Sequence, residues 1–244
     1  MKGRGFIFCL IACFLAASAL GQVETDFKKA NAEYGAGHFK EAIELYSNAI
    51  ASGSVSANAF YDLANAYFRT GDFGHAILNY ERALALDRHH PESRANLEIA
   101  RDEARALELT PSKPQQLASF GTPSQYAITA AVGFWICIGS IVISIFSKSR
   151  TRTAIATSVF GFLLLGLGLF GAYLINSEQK AKAIVVADDV QARLATADNA
   201  NSVLALPPGS EIKVVSRRGD WLYAELPNNL RGWIPAKAAE NVLM

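Results

Sequence analysis

The chain has 244 residues, 51% hydrophobic and 18% charged, with a mean hydropathy of +0.17. A single water-soluble domain does not fit, because the apolar residues are gathered in three blocks, 6–20, 126–146 and 153–175, rather than spread at strand or helix spacing. Lys+Arg is 23 against Asp+Glu 22, a net charge of +1 that leaves no broad basic footprint and argues against nucleic-acid binding as the main task. Cys9, Cys13 and Cys137 all lie in the apolar blocks, so the polar parts hold no disulfide framework, cysteine-ligated zinc site or cysteine nucleophile.

Lys2 and Arg4 precede the first block, which ends in Ala16-Ala17-Ser18-Ala19 and then Gly21-Gln22, the layout of a secretory signal over 1–21. Two other readings stay open. Leu10-Ile11-Ala12-Cys13 has the form of a lipobox in which Cys13 is acylated, and the block would also serve as an uncleaved anchor. All three place residue 22 onward beyond the cytoplasmic membrane.

Sliding the chain against itself until Phe27 falls on Tyr61 also brings Ala30, Asn31 and Ala32 onto Ala64, Asn65 and Ala66. The same shift aligns Gly37, Phe39, Ala42, Ile43, Tyr46 and Ala49 with Gly71, Phe73, Ala76, Ile77, Tyr80 and Ala83. The second copy, 57–90, resembles a tetratricopeptide repeat, with Phe60, Leu63, Ala64 and Tyr67 at the W-x-x-L-G-x-x-Y spacing. Alanines let the two helices of a hairpin approach, tyrosines fill the space between hairpins, and Gly71 marks the turn. In the first copy, 23–56, Asp26 and Lys29 stand where bulky apolar residues are usual, as befits a terminal repeat. Residues 92–109 place Leu97, Ile99, Ala100 and Leu107 among charges and read as an amphipathic capping helix. Region 22–110 is therefore expected to be a short all-α solenoid, below the roughly three repeats needed for independent stability, with another protein or a second copy completing it.

Such an array binds through its concave surface, lined by the first helix of each hairpin. Phe27, Asn31 and Tyr34 fall in register with Tyr61, Asn65 and Phe68, with Arg69 beside them. Asparagines one repeat apart would hold an extended peptide backbone, or alternatively hydrogen-bond within the helical array. The region carries 9 basic and 14 acidic residues, a net of −5 that favours a basic partner; the plain alternative is a solvated face.

Residues 111–125 contain Pro111, Pro114 and Pro123 and read as a linker. The stretches 126–146 and 153–175 are each long enough, at about 1.5 Å of rise per residue, to cross a bilayer. They contain no Asp, Glu, Lys, Arg or His, which argues against a channel or proton relay. Lys148, Arg150 and Arg152 make the loop 147–152 cytoplasmic by the positive-inside rule, so both flanks face outward. Small pairs Ala154/Ser158 and Gly168/Ala172 would admit a partner helix or let the two spans pack on each other.

From 183 to 244, β-prone runs at 183–186, 190–193, 211–217, 221–226 and 230–234 alternate with turn signals, which predicts a small all-β barrel. Gln191-Ala192-Arg193, Pro207-Pro208-Gly209, Gly219-Asp220-Trp221 and Gly232-Trp233-Ile234-Pro235 resemble the landmarks of a bacterial SH3-like domain, although Leu194-Ala195-Thr196 departs from its usual proline turn. That resemblance implies recognition of cell-wall or other peptides. Trp221, Tyr223 and Trp233 are the candidate aromatic groove; Trp221 reads as core, and for Trp233 core and groove both stand.

No phosphate loop, zinc-helix motif or nucleophile elbow appears, and nothing calls for a cofactor or metal. His38 and His75 fall near helical turns and His89-His90 in a loop before Pro91, and the adjacent pair reads as solvent-facing turn residues. Asp188-Asp189 has no neighbour to separate its acidities. An enzyme reading, which would rest on His75 or Asp189, has no constellation behind it.

Taken in order, the signal, the repeat 57–90 with its ending Arg94-Ala95-Asn96-Leu97-Glu98, the linker, the two spans and Gly232-Trp233-Ile234-Pro235 resemble the BatE proteins of the aerotolerance operon. The expected fold is a multidomain membrane protein: an all-α tetratricopeptide solenoid, two transmembrane helices and a small all-β SH3-like barrel. The resemblance implies partnership with membrane proteins bearing von Willebrand factor A domains and with a MoxR-type AAA+ ATPase, in tolerance of oxidative or envelope stress. A scaffold with both polar modules outside the inner membrane is the leading expectation, and a peptidoglycan-binding sensor the alternative.

Overall fold

The computed structural model describes residues 27–110, 113, 116, 120–146 and 152–243. The signal 1–21, with Cys13, and the basic residues Lys148 and Arg150 lie outside the described residues, as does most of the linker. The chain divides into two units, one made of the chain up to Leu109 and from Lys182 onward, the other Thr110–Ala181.

The first unit opens with helix α1 at 27–36, followed by α2 (Phe39–Ala51), α3 (Ala57–Thr70), α4 (Phe73–Leu86) and α5 (Pro91–Ala104). The ends of these helices are chemically marked. Ser56 Oγ accepts the Ala59 amide at 3.1 Å and Asp72 Oδ1 accepts that of His75 at 3.1 Å, each using a donor left over at a helix start. Gly71 has φ 81°, a left-handed conformation that closes α3, with its amide on the Phe68 carbonyl and that of Asp72 on the Tyr67 carbonyl. Pro91 begins α5, where a missing N–H costs nothing.

The repeated alanines are where close approach is needed: Ala30, Ala42, Ala49, Ala64, Ala76 and Ala83 are all at 0% exposure. Between them Tyr46 and Leu63 join one apolar cluster with Ala66, and Ile77, Leu78, Tyr80, Leu97 and Ala100 form the next.

Ile184 and Val242 also belong to that second cluster. They come from the C-terminal sheet, strands β1 (Lys182–Val185), β2 (Val190–Arg193), β3 (Ser202–Leu206), β4 (Glu211–Arg218), β5 (Trp221–Glu225), β6 (Arg231–Pro235) and β7 (Ala239–Asn241), and the residue that follows it. The order is β3-β2-β6-β5-β4-β1-β7, with every described pair antiparallel. A closed barrel was the expectation, yet the sheet ends in β3 and β7 and is not closed. The physical reason lies in β1: its Ala183 and Val185 face the sheet's own core while Ile184 turns into the helices. β1 and β7 are thereby committed to α4 instead of curling round to meet β3.

The repeats and sheet thus share buried surface. Gly74 of α4 lies so close to β1 that a Cβ there would stand 2.8 Å from the Val186 carbonyl oxygen. Gly209, at φ 84° in the turn before β4, abuts Ile77 Cδ1. The completing surface expected from another molecule is supplied at this end of the array by the chain itself.

The second unit holds α6 (Pro123–Phe146) and α7 (Arg152–Ala181), two helices long and apolar enough to cross a membrane. They pack on each other through small residues. A Cβ on Gly168 would lie 2.5 Å from the Ala130 amide nitrogen, one on Gly161 2.8 Å from Ile136, and Gly133 abuts Leu165. Ser140 Oγ donates to Thr157 Oγ1 at 3.0 Å, so hydroxyls meet between the helices. Ile145, Phe162, Leu163 and Tyr173 point outward.

Candidate functional site

The two asparagines singled out by the period do the same thing twice. Tyr46 Oη donates to Asn31 Oδ1 at 2.6 Å, and Tyr80 Oη to Asn65 Oδ1 at 2.6 Å, both partners having moved on by one repeat. Asn65 Oδ1 also accepts from Asn96 Nδ2 of α5 at 2.9 Å. Burial pushes both phenols well above their ordinary range, so they stay protonated donors. Of the two readings, bonding within the array is the one the carbonyl oxygens display. The Nδ2 atoms of Asn31 and Asn65 make no hydrogen bond among the described residues.

The other predicted side chains divide into neighbourhoods. Phe27 stacks edge-on against Tyr46 at 5.3 Å. Tyr34 packs on Phe39 at 5.3 Å, and the Arg69 guanidinium lies over the same ring at 4.6 Å. Phe68 turns to Phe73 at 5.5 Å. Tyr61 meets Tyr80 at 6.1 Å and His90 at 5.1 Å. His90 Nδ1 accepts the Ser93 amide at 3.1 Å, which leaves Nε2 as the donor to Asn58 Oδ1 at 3.0 Å.

Sequence reasoning missed Phe39, Asn58, Asn96, His90 and above all Asp62. Asp62 stands on α3 between Asn58 and Asn65, half-buried, with no hydrogen bond or ion pair among the described residues. Burial pushes its carboxyl up to about 6, opposed by the field of His90. The signal available was its place next to Tyr61.

On the sheet, Leu222, Ala224 and Ile234 are buried while Trp221, Tyr223 and Trp233 alternate with them. Tyr223 and Trp233 are directly paired across β5 and β6, with rings 5.0 Å apart. Trp221 is half-buried on the same face, opposite Pro235 and Arg218, and not in the core where the sequence reading put it. Arg193 lies opposite Trp233, and Arg231 pairs with Glu225 at 2.6 Å.

Where the sheet meets the helices, four charges are gathered that no local pattern announced. Lys182 Nζ lies 2.8 Å from Glu81 and 2.9 Å from Glu211; Arg101 lies 2.7 Å from Glu81 and also contacts Glu211. Burial opposes the charge of Lys182 and Arg101, but the carboxylates outweigh it and raise both pKa values; burial equally opposes ionised Glu211, and Lys182 and Arg101 lower it on balance. Leu109 donates its amide to Glu211 Oε2 at 3.4 Å. The points where the chain leaves this unit and returns to it, Leu109 and Lys182, therefore share one carboxylate.

His90, expected to face solvent, has its side chain only 10% exposed, and His75 lies in the first turn of α4. His75 stacks on Tyr67 at 5.0 Å and bonds Asp72 at 2.8 Å, with Glu240 of β7 3.9 Å from Nε2. Asp188 and Asp189 are in the turn between β1 and β2.

Residues 27–91 match the tetratricopeptide repeat family, and this part of the chain is a tetratricopeptide-repeat region. The TPR domain of Arabidopsis OM64 is similar at 17% identity over 59% of this chain and 96% of that chain, with a TM-score of 0.34. No curated protein matches the sequence. Tetratricopeptide repeats are typically interaction modules rather than catalytic ones, which supports a protein–protein interaction role for this region.

Proposed function

We propose that this protein is a membrane-anchored interaction scaffold that holds a protein partner on the face of α1 and α3. The observation that carries the reading is the pair of amide donors, Asn31 and Asn65, each held by a buried tyrosine hydroxyl at equivalent places in a tetratricopeptide-repeat region. A ladder of fixed donors binds extended backbone without demanding a particular side chain. Phe27, Tyr34, Tyr61, Phe68 and Arg69 supply contact area around it.

The anchor in this reading is the hairpin α6–α7, with Arg152 and its neighbours inside and both polar parts outside the inner membrane. The whole order of parts resembles the BatE proteins, and on that footing the partners are membrane proteins with von Willebrand factor A domains and a MoxR-type ATPase system. No turnover is assigned: His75 and Asp72 are spent on each other and on a contact with β7. A second reading, a peptidoglycan-binding sensor, is favoured by Tyr223 and Trp233 facing away from the sheet core beside Trp221.

Because Ile184 and Val242 are buried among the helices, neither part should be tested by truncation. Full-length protein purified in mild detergent, wild type against Asn65→Arg, separates the readings. The scaffold predicts that integral membrane proteins with von Willebrand factor A domains co-purify and are lost with Asn65→Arg. Unchanged co-purification contradicts it, and muropeptides retained by wild type but lost with Trp233→Ala would install the sensor.

A further inference from the structure

We propose that the repeat face selects a basic partner segment and that Asp62 is the carboxylate that receives its lysine or arginine side chain. The inference rests on the reading of α1 and α3 as the binding face and adds the chemistry of what is bound.

A carboxylate removed from water without a partner destabilises the protein that carries it. Elsewhere in this unit buried carboxylates are matched: Glu81 and Glu211 share Lys182 and Arg101, and Asp72 holds His75. Asp62 is the exception among the half-buried and buried acids of α3 and α4. Its surroundings are Tyr46 of α2, which feels its charge, and His90, whose field opposes the effect of burial. His90 is already committed, through Nδ1 to the α5 amide and through Nε2 to Asn58.

The position adds to the charge. Asp62 follows Tyr61 and stands one helical turn before Asn65, so a segment hydrogen-bonded to the Asn65 amide would carry a side chain past the carboxylate. A lysine or arginine there brings the missing charge, and its methylene stem lies along Tyr61. The surrounding region is complementary in the same sense, with 9 basic and 14 acidic residues in 22–110.

The test is a positional-scanning library of short peptides presented to full-length protein in nanodiscs, wild type against Asp62→Asn. Enrichment of lysine or arginine at one position in wild type is expected. In Asp62→Asn it should fall by roughly thirtyfold, as for loss of one partner of a desolvated charge pair, while preferences at the other positions persist. Peptides bound without any basic preference, or with one that survives Asp62→Asn, overturn this inference and leave the binding face standing. No peptide bound at all, or binding indifferent to Asn65→Arg, overturns the face itself. Thermal melting guards against a folding artefact: Asp62→Asn should melt at or above wild type, because it removes a desolvated charge, and a lower melting point would make Asp62 structural.

Discussion

The two helical hairpins carry the same motif and end in different surroundings. In the first, Tyr46 and Asn31 pair beside an exposed flank, and the Asn31 carbonyl has that one partner among the described residues. In the second, Tyr80 and Asn65 are joined by Asn96 of α5, and the cluster around Tyr80 continues into Ile184 and Val242 of the sheet. A repeat unit is therefore a local device whose stability depends on what lies beyond it, and here one end is finished by the chain's own β-structure.

The two hairpins should differ most at their buried tyrosines. Tyr80→Ala should cost about 3–5 kcal/mol, the usual range for emptying a large buried aromatic site, and should expose amides of β1 and β7 along with those of α4. Tyr46→Ala, equally buried, should release α1 and α2 while the sheet stays protected. Hydrogen exchange distinguishes the two outcomes; equal exposure of the sheet in both variants would show that the hairpins are not energetically distinct.

Next in size is Glu211→Gln. Removing that carboxylate leaves Lys182 and Arg101 with Glu81 between them, and a loss of about 3 kcal/mol is expected for breaking a buried ion pair from one side. Chemical denaturation of the full chain measures it. Gly209→Ala is smaller, about 1–3 kcal/mol by overpacking against Ile77, with added strain from the left-handed backbone; the matching change at Gly37, φ 84° but with nothing within 4 Å, has strain alone.

The smallest effect is on pH. The His75 pKa is raised, foremost by its hydrogen bond to Asp72, with burial opposing and Glu240 adding and Arg82 subtracting. A raised histidine contributes stability that is complete below its unfolded value of 6.5 and is lost as pH rises through the folded value. Stability should thus decline modestly above pH 6.5 in wild type and less in His75→Gln, as seen in melting temperature against pH. Asp62 works in the same direction with opposite chemistry. Its carboxyl, held near 6 against 3.8 when unfolded, favours the folded state more as pH falls from about 6 towards 3.8.

The repeat was legible because its signals are local and periodic: alanines at close contacts, tyrosines between hairpins, Gly71 where the backbone turns left-handed. The five strands read from the sequence correspond to β1, β2, β4, β5 and β6, since each combines β-prone residues with a flanking turn. β3 and β7 escaped notice because β3 follows an irregular stretch and β7 is very short, with Glu240 and Asn241 in it. The shared core was invisible for another reason. Ile184 and Val242 look like ordinary strand residues, and nothing within a few positions of either says that they turn to helices on the far side of both apolar spans in the chain. At the candidate site, the asparagines and tyrosines stood out by register, whereas Asp62 looked like any charge on a helix until its lack of a partner could be seen.

Whether the face of α1 and α3 holds a protein can be read from a photo-reactive residue placed at Arg69, exposed near the end of α3, in intact cells, with Ile99, exposed on α5, as the control position. A discrete protein adduct is expected from position 69 that Ile99 does not give and that Asp62→Asn weakens. Identical adducts from both positions, or none from position 69, would show that this face holds no protein.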